Sequence, residues 1–413
     1  MKRLLAFLLV LALLPTLSGC AGIYANTREV EQLLVIQTMG LDTAEEGVGL
    51  SLASGAGIHA AGSPVRLHGA AGSITAAIEQ IRNNSNEEDL FCAHIGHVLI
   101  GEDAAKAGGD DALAYICRSP DLRISVPVYI AKGGTAEEAV MTVGDSSYGI
   151  CDALDAVNGD VKLRGDGHIF SAADIVCALE RHGSALICAV ERVPSAEKKL
   201  TSSSDQSQSN GGRSPMSSGQ QQQEQSSSQD EPKELYTVAA AGYAVIKDGR
   251  LCTYLDREQA VGVGFLIGDV GLSELSVTDR DGNPVTLTID EGSSQIRPVW
   301  GEDGSLEGLD VSVNVGASVS ETRGTAAFSD GSYEDLLVAR LETALSERIA
   351  SVLQLSKSLG ADFMGLGSQV ELADPVRYRA LDTPFAELLP QLSVQVSVSG
   401  KLTHTHDIRD DSL

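Results

Sequence analysis

Residues 332–360, SYEDLLVARLETALSERIASVLQLSKSLG, carry the clearest helical pattern in the chain. Apolar side chains recur there every three or four positions, as on one face of an amphipathic α-helix, at Leu337, Leu341, Leu345, Ile349, Val352 and Leu355. Ser332 is the predicted N-cap, with Asp335 three residues later, and Gly360 is predicted to end the helix. About 27 residues at 1.5 Å each make a helix roughly 40 Å long, which must lie across a sheet to bury this stripe.

The end of the chain supplies a strand for that helix. Apolar residues alternate there with polar ones, as in a strand with one buried face, at Leu392, Val394, Val396 and Val398. The segment Gly365-Leu366-Gly367, between helix and strand, is interpreted as a turn. We therefore predict a C-terminal α/β domain over residues 326–413, in which the long helix packs on a sheet.

Turn sequences divide the preceding residues, 235–325, into hairpins. Asp-Gly at 248–249 and Asp-Gly-Asn-Pro at 281–284 each separate two apolar stretches, which is typical of tight turns between paired strands. These stretches are 236–246, 251–255, 275–279 and 285–289. The pattern predicts a small antiparallel β domain over 235–325.

Residues 195–234 differ sharply in composition from both sides. Ser and Gln dominate this segment, which contains the run Gln220-Gln221-Gln222-Gln223. The segment has almost no apolar residues, and the little surface it could bury cannot offset the entropy lost on ordering. We therefore predict a disordered linker. As a flexible coil it would have a root-mean-square reach of roughly 35 Å. It either separates two domains or loops out of one.

Strand and helix patterns alternate before this linker. Ile74, Ile78 and Ile81 have helical spacing, and 97–100 reads as a buried strand. A helix over 102–117, a strand over 123–130 and a short helix over 135–141 follow. This order predicts a mixed α/β domain over residues 20–194. The predicted fold class of the whole chain is therefore α+β, with several domains.

The first residues indicate export and a lipid anchor. Lys2 and Arg3 precede an apolar run over 4–14, and Leu17-Ser18-Gly19-Cys20 follows as a lipobox. The run is too short to span a bilayer, which takes about 20 apolar residues, so 1–19 are predicted to be a cleaved lipoprotein signal peptide. Cys20 is the predicted lipidation site. Two acyl chains there would anchor the protein to the extracytoplasmic face of a membrane.

Charge and cysteine spacing exclude several functions. The formal net charge is −27, and cleavage would also remove Lys2 and Arg3, so the surface repels nucleic-acid phosphates and no nucleic-acid partner is expected. Six cysteines remain after Cys20, without a C-x-x-C pair or other metal spacing, at Cys92, Cys117, Cys151, Cys177, Cys188 and Cys252. They are interpreted as small buried side chains, with one or two disulfide bridges left open.

Two short strings are similar to the HIGH and KMSKS motifs of class I aminoacyl-tRNA synthetases. They are His94-Ile95-Gly96-His97 and Gln354-Leu355-Ser356-Lys357-Ser358. An exported acidic protein meets neither tRNA nor an ATP pool, and the second string continues the long helix. A structural role is favoured for both histidines, since no nearby residue completes a metal site. Without a G-x-S-x-G or phosphate-loop motif, we predict no catalytic, cofactor or metal site, and no enzyme.

Four segments in their order along the chain carry a family resemblance. They are 28–42, from Arg28-Glu29 to Gly40-Leu41-Asp42; CAHIGHVLIGE at 92–102 with RSPDLR at 118–123; AGYAVIKDGRL at 241–251; and GADFMGLG at 360–367, followed by Pro375 and Phe385. Together they resemble the Ger(x)C family, the lipoprotein C subunits of spore germinant receptors. Ala21-Gly22 and Tyr378 stand where that family often has Trp-Asp and Trp.

The resemblance implies a function without catalysis. It implies three mixed α/β domains on the outer face of the spore inner membrane, assembled with two integral-membrane subunits, A and B, that sense small nutrients. A germinant would be met only through that complex. The chain would be a docking or coupling subunit. The alternative from another class is a solute-binding lipoprotein that captures a small molecule between domains.

Overall fold

A computed structural model describes residues 33–55, 64–85, 89–145, 148–196, 234–322 and 331–404. The strands are β1 (Leu33–Ala44), β2 (Gly47–Ser54), β3 (Arg66–Ala71), β4 (Asp89–Phe91), β5 (His97–Gly101), β6 (Val128–Ala131), β7 (Ser184–Pro194), β8 (Tyr236–Lys247), β9 (Arg250–Leu255), β10 (Ser273–Thr278), β11 (Pro284–Trp300), β12 (Leu306–Thr322) and β13 (Ser393–His404). The α-helices are α1 (Ile74–Asn84), α2 (Glu102–Gly108), α3 (Asp110–Arg118), α4 (Ala136–Thr142), α5 (Ile150–Arg164), α6 (Ala172–His182), α7 (Arg257–Ile267), α8 (Gly331–Leu359), α9 (Leu366–Ala373), α10 (Pro375–Arg379) and α11 (Phe385–Leu388).

The first sheet is mixed, with strand order β3-β2-β1-β5-β6-β7-β8-β9 and β4 beside the start of β1. Its centre, β1-β5-β6-β7, is parallel, and the flanking strands are antiparallel. Every residue of β5 and β6 is buried, as expected for strands covered on both faces. Helices α1, α2, α3 and α6 contribute to the core on one face, and α4 and α5 to the core on the other.

The second sheet has the order β10-β11-β12-β13, and β13 lies parallel to β12 at one edge. Helix α8 packs on β13 and β10, and buries Leu337, Leu341, Leu345, Ile349 and Val352. The predicted α+β class, with a long C-terminal helix on a sheet, is confirmed. The helix begins at Gly331, so Ser332 is a first-turn residue and not the N-cap. It ends at Leu359, before Gly360 at φ +57°, as predicted.

Two shorter predictions need correction. The helix predicted over 102–117 is divided into α2 and α3, because Gly108 has φ +132°, which an α-helix cannot contain. The strand predicted over 123–130 is shorter, since β6 begins at Val128. Residues just before it form turns instead, with Val126 N–H donating to the Arg123 carbonyl at 3.0 Å.

The strands predicted for one middle domain, 235–325, are divided between the two sheets. Strands β8 and β9 extend the first sheet, where β8 pairs with β7 from Ser184↔Lys247 to Pro194↔Tyr236. The Ser/Gln segment predicted at 195–234 therefore connects neighbouring strands of one sheet and does not separate two domains. Its predicted disorder concerns residues that lie mostly outside the described ones, since 197–233 are not described.

The two sheets share an apolar core. Leu186, Tyr243 and Val245 from β7 and β8 belong to the same buried cluster as the α8 stripe and the inner face of β12. Helix α7, whose backbone approaches α8 closely at Gly262, lies in this cluster as well. No helix among the described residues is long and apolar enough to cross a membrane. The predicted signal peptide and Cys20 lie outside the described residues.

Candidate functional site

The two histidines of the HIGH string point to different partners. His94 Nδ1 lies 3.3 Å from Arg123 Nη2, and its ring stacks at a tilt against Phe91. His97, the first residue of β5, is buried, at 3% exposure, and contacts Asp155 and Tyr129 instead. The pair therefore does not form a joint site, and His97 belongs to a separate polar cluster.

This polar cluster consists of Thr38, His97, Tyr129, Cys151 and Asp155. Parallel pairing places Thr38 of β1 beside His97 of β5, on the face of the sheet covered by α5. Cys151 and Asp155 lie four residues apart on α5, so they share one helix face. His97 Nε2 is 3.1 Å from Asp155 Oδ1, and the Tyr129 hydroxyl is 3.3 Å from His97 Nδ1.

Burial sets the charge state of this cluster. It lowers the pKa of His97, against the opposing effect of the Asp155 carboxylate. It also raises the pKa of Tyr129, and raises that of the Cys151 thiol to about 12. All three groups are therefore neutral at pH 7. A nucleophilic cysteine needs the opposite shift, so the cluster is suited to binding and structure and not to nucleophilic attack.

Sequence reasoning identified His97 but did not connect it with the four other side chains of its cluster. Cys151 and Asp155 follow more than fifty positions later, and only the sheet topology brings them to β5. The one available signal was their spacing of four, which places both on one face of a helix, but no helix was predicted over this segment. The lack of a third ligand close to His94 and His97 in sequence therefore does not exclude a metal site that the fold assembles around His97.

The string at 354–358 holds the end of α8. Ser356 Oγ donates to the Ala361 carbonyl at 2.6 Å, and Lys357 Nζ donates to the Leu392 carbonyl at the same distance. Ser356 itself is fully buried. These contacts anchor the helix terminus to the following loop and to the start of β13. They are structural contacts, unlike those of a mobile catalytic loop.

A second polar cluster joins the two sheets through the segment 360–367. Asp362, 1% exposed, accepts hydrogen bonds from the N–H groups of Leu366 and Gly367, at 2.7 and 2.8 Å, and so holds the start of α9. His182, at the end of α6, places Nδ1 3.5 Å from Asp362 Oδ2 and Nε2 3.2 Å from Ser368 Oγ. Burial lowers the pKa of His182 and raises that of Asp362.

Other residues of the resembling segments also hold helix ends. Asp42 accepts hydrogen bonds from the N–H groups of Ala136 and Glu137, at 2.8 and 2.7 Å, at the start of α4. Glu102 accepts hydrogen bonds from the Gly133 N–H and the Tyr254 hydroxyl. Carboxylates suit these places because the first N–H groups of a helix or turn have no backbone partner. These segments therefore share a structural role.

The cysteines differ from the prediction that most are buried. Cys151 and Cys188 are buried, whereas Cys117, Cys177 and Cys252 are exposed and Cys92 is partly exposed. All six are free thiols. The three exposed cysteines lie on the outer face of their helix or strand, whereas apolar neighbours such as Ile116 and Leu251 pack in or against the core.

Comparisons with known proteins give one consistent result. Residues 26–155 match the family model of the spore germination protein N-terminal domain, and residues 241–406 match that of the spore germination B3/GerAC-like C-terminal domain. The crystal structure of the GerBC protein is similar, with a TM-score of 0.50 and 16% identity over 89% of this chain and 97% of that chain. No curated protein matches. By both of its family domains and by its fold, this chain belongs to the Ger(x)C family of spore germination proteins.

Proposed function

We propose that this protein is the lipid-anchored C subunit of a spore nutrient germinant receptor. It would dock with two integral-membrane subunits and couple them, without catalysing a reaction. The observation that carries the proposal is the pair of family domains, which occupy residues 26–155 and 241–406 in the expected order. The lipobox Leu17-Ser18-Gly19-Cys20 supports the anchor.

The start of β1 limits how far the body can lie from the membrane. Leu33 opens the first sheet, thirteen positions after Cys20. Even a fully extended chain of that length spans at most about 45 Å. A lipid on Cys20 would therefore hold the folded part close to the bilayer, which raises its effective concentration for embedded partners.

The state of the buried cysteines supports a role without catalysis. Burial raises the pKa of both Cys151 and Cys188 to about 12, so neither thiol is activated as a nucleophile. The alternative of a solute-binding lipoprotein needs an open cleft between domains. Among the described residues, the shared apolar cluster of β7, β8, α7 and α8 fills the space between the two sheets.

A Cys20→Ala variant tests the anchor and the partnership together. We expect less of the variant in the membrane fraction of spores and much lower recovery of both membrane subunits in pull-down, because the lipid is its direct attachment to the bilayer and raises its local concentration there. Cys177→Ala, at an exposed cysteine of α6, is the matched control and should behave as wild type. Unchanged membrane association of Cys20→Ala would contradict the anchor. Pull-down of the wild-type protein without either subunit would contradict the receptor role.

A further inference from the structure

The polar cluster on the α5 face of the first sheet contains three side chains of metal-ligand type. A ring nitrogen of His97, Cys151 Sγ and a carboxylate oxygen of Asp155 all lie within 4.8 Å of one another. They come from two elements that pack together, so their meeting depends on the fold and not on neighbouring positions in sequence. An imidazole, a thiol and a carboxylate are the ligand types that zinc sites use.

The distances suit a tetrahedral ion. With bonds of about 2.0–2.1 Å, the N and O ligands of a tetrahedral zinc site lie about 3.3 Å apart. His97 Nε2 and Asp155 Oδ1 are 3.1 Å apart, so this edge of the tetrahedron is already formed. The Cys151 sulfur lies within 4.8 Å of the histidine nitrogen and of the carboxylate oxygen. Rotation of the Cys151 side chain would bring it into bonding distance of the ion.

Tyr129 supports the histidine as a ligand. Its hydroxyl lies 3.3 Å from His97 Nδ1, and both groups are buried. A hydroxyl both donates and accepts, so it can pair with Nδ1 in either tautomer of the ring. Without an ion, Nε2–H can donate to Asp155; with the ion bound, Nδ1–H donates to the Tyr129 hydroxyl and the lone pair of Nε2 faces the cation. Such a partner on the second ring nitrogen is the usual companion of a metal-binding histidine.

Thr38 gives an independent indication of a ligand. Its hydroxyl is fully buried and makes no hydrogen bond of normal geometry with the described residues. Strand pairing places Thr38 beside His97, and its hydroxyl lies near the Cys151 thiol. An orphaned buried hydroxyl costs free energy. A thiolate bound to a cation would accept from it.

We propose that His97, Cys151 and Asp155 bind one Zn²⁺ ion, with Thr38 and Tyr129 as supporting groups. On binding, the thiol gives its proton to solvent and the Sγ–Zn bond forms, so thiolate and carboxylate together neutralise the ion. Asp155, with 68% of its side chain exposed, provides the entrance and leaves the fourth position to water. The ion would fasten α5 to β5. This inference goes beyond the receptor role and does not depend on it.

The test is titration of the purified full chain, in reduced form, with Zn²⁺ and with Co²⁺. We expect one equivalent of Zn²⁺ to bind and to raise the melting temperature, since it binds the folded state. Bound Co²⁺ should show a sulfur-to-cobalt charge-transfer band in the near ultraviolet. Asp155→Ala and Cys151→Ala should each weaken Zn²⁺ binding at least about 10-fold, and Tyr129→Phe about 10-fold.

Cys177→Ala is the control, because Cys177 is exposed and lies on α6, away from the cluster. It should leave the affinity and the cobalt band unchanged. Should Cys151→Ala fail to fold, Asp155→Ala decides, since its side chain is largely exposed. Absence of one-equivalent binding, or an unchanged affinity in Asp155→Ala, would overturn the site. A cobalt complex without the thiolate band would exclude Cys151.

Discussion

Glu102 connects three separate parts of the first sheet through one carboxylate. It begins α2, and it accepts hydrogen bonds from the Gly133 N–H at 2.5 Å, from the Tyr254 hydroxyl at 2.9 Å and from Lys106 Nζ at 2.6 Å. The hydrogen bond from Lys106 is the largest cause that lowers the pKa of Glu102 below 4.5; burial opposes it, and the hydrogen bonds from Gly133 and Tyr254 add to the lowering. The hydrogen bonds of the folded state therefore stabilise the charged form of the Glu102 side chain.

The lowered pKa of Glu102 predicts a pH-dependent contribution to stability. The unfolded chain binds a proton at this side chain near pH 4.5, and the folded chain only at lower pH. Between these values the unfolded state holds more protons, so stability is present above about pH 4.5 and is lost as the pH falls. Glu102→Gln should cost about 1 kcal/mol at pH 7. The difference from wild type should shrink below pH 4.5 in chemical denaturation.

Glu387→Gln is a suitable control, because Glu387 is an exposed residue of α11 and does not belong to the first sheet or its helices. Its unfolding curve should match that of wild type at both pH values. A Glu102→Gln difference that stays constant from pH 7 to below pH 4.5 would show that shape, and not charge, explains the effect.

At the scale of elements, helices α7 and α8 come close because one residue has no side chain. A Cβ placed on Gly262 would lie 3.0 Å from the Arg348 carbonyl oxygen and 3.2 Å from the Ile349 nitrogen. Both neighbours are backbone atoms of a long helix, so they cannot move aside like a flexible side chain. Both helices belong to the core shared by the two sheets.

This close approach predicts opposite effects for two glycine substitutions. Gly262→Ala should destabilise the protein by about 1–3 kcal/mol, as for other overpacked cores. Gly159→Ala, at an exposed position of α5 with nothing within 4 Å of the added carbon, should stabilise it by about 0.5–1 kcal/mol. Equilibrium unfolding in urea measures both. Equal effects would mean that helix propensity, and not contact with α8, decides the outcome.

Local patterns predicted the elements better than their arrangement. The α8 stripe and the Asp248-Gly249 turn are encoded within a few residues, and the structure confirms both. The pairing of β8 with β7 joins residues on either side of the Ser/Gln segment, and no local sequence pattern predicts it. The cluster around His97 depends on the same long-range topology. For that reason Asp155 could not be assigned from sequence.

At the scale of the whole molecule, the Ser/Gln segment starts and ends at one place. The Ser195 N–H donates to the Leu235 carbonyl at 2.8 Å, so the two ends are already neighbours in the sheet. The fold therefore does not need the length of residues 197–233 to connect its parts.

Replacing residues 197–233 by Asn-Gly should leave the fold intact. A two-residue turn of this type fits an antiparallel pair, and shortening the loop should stabilise the protein by about 2 kcal/mol or less, from the lower entropy of closing it. Thermal unfolding and circular dichroism measure this. A variant with the same residues in shuffled order is the control and should match wild type. Loss of the folded state in the shortened chain would contradict this prediction.

The pairing of β7 with β8 also determines what a broken chain would do. A fragment that stops before residue 197 carries β7 with one edge unpaired, and a fragment that starts at residue 234 carries β8 with the complementary edge bare. Unpaired edges and uncovered apolar faces promote association between chains. Half-molecules of this protein are therefore expected to aggregate when alone. When the two fragments are mixed, they should associate and restore the hydrogen bonds between β7 and β8.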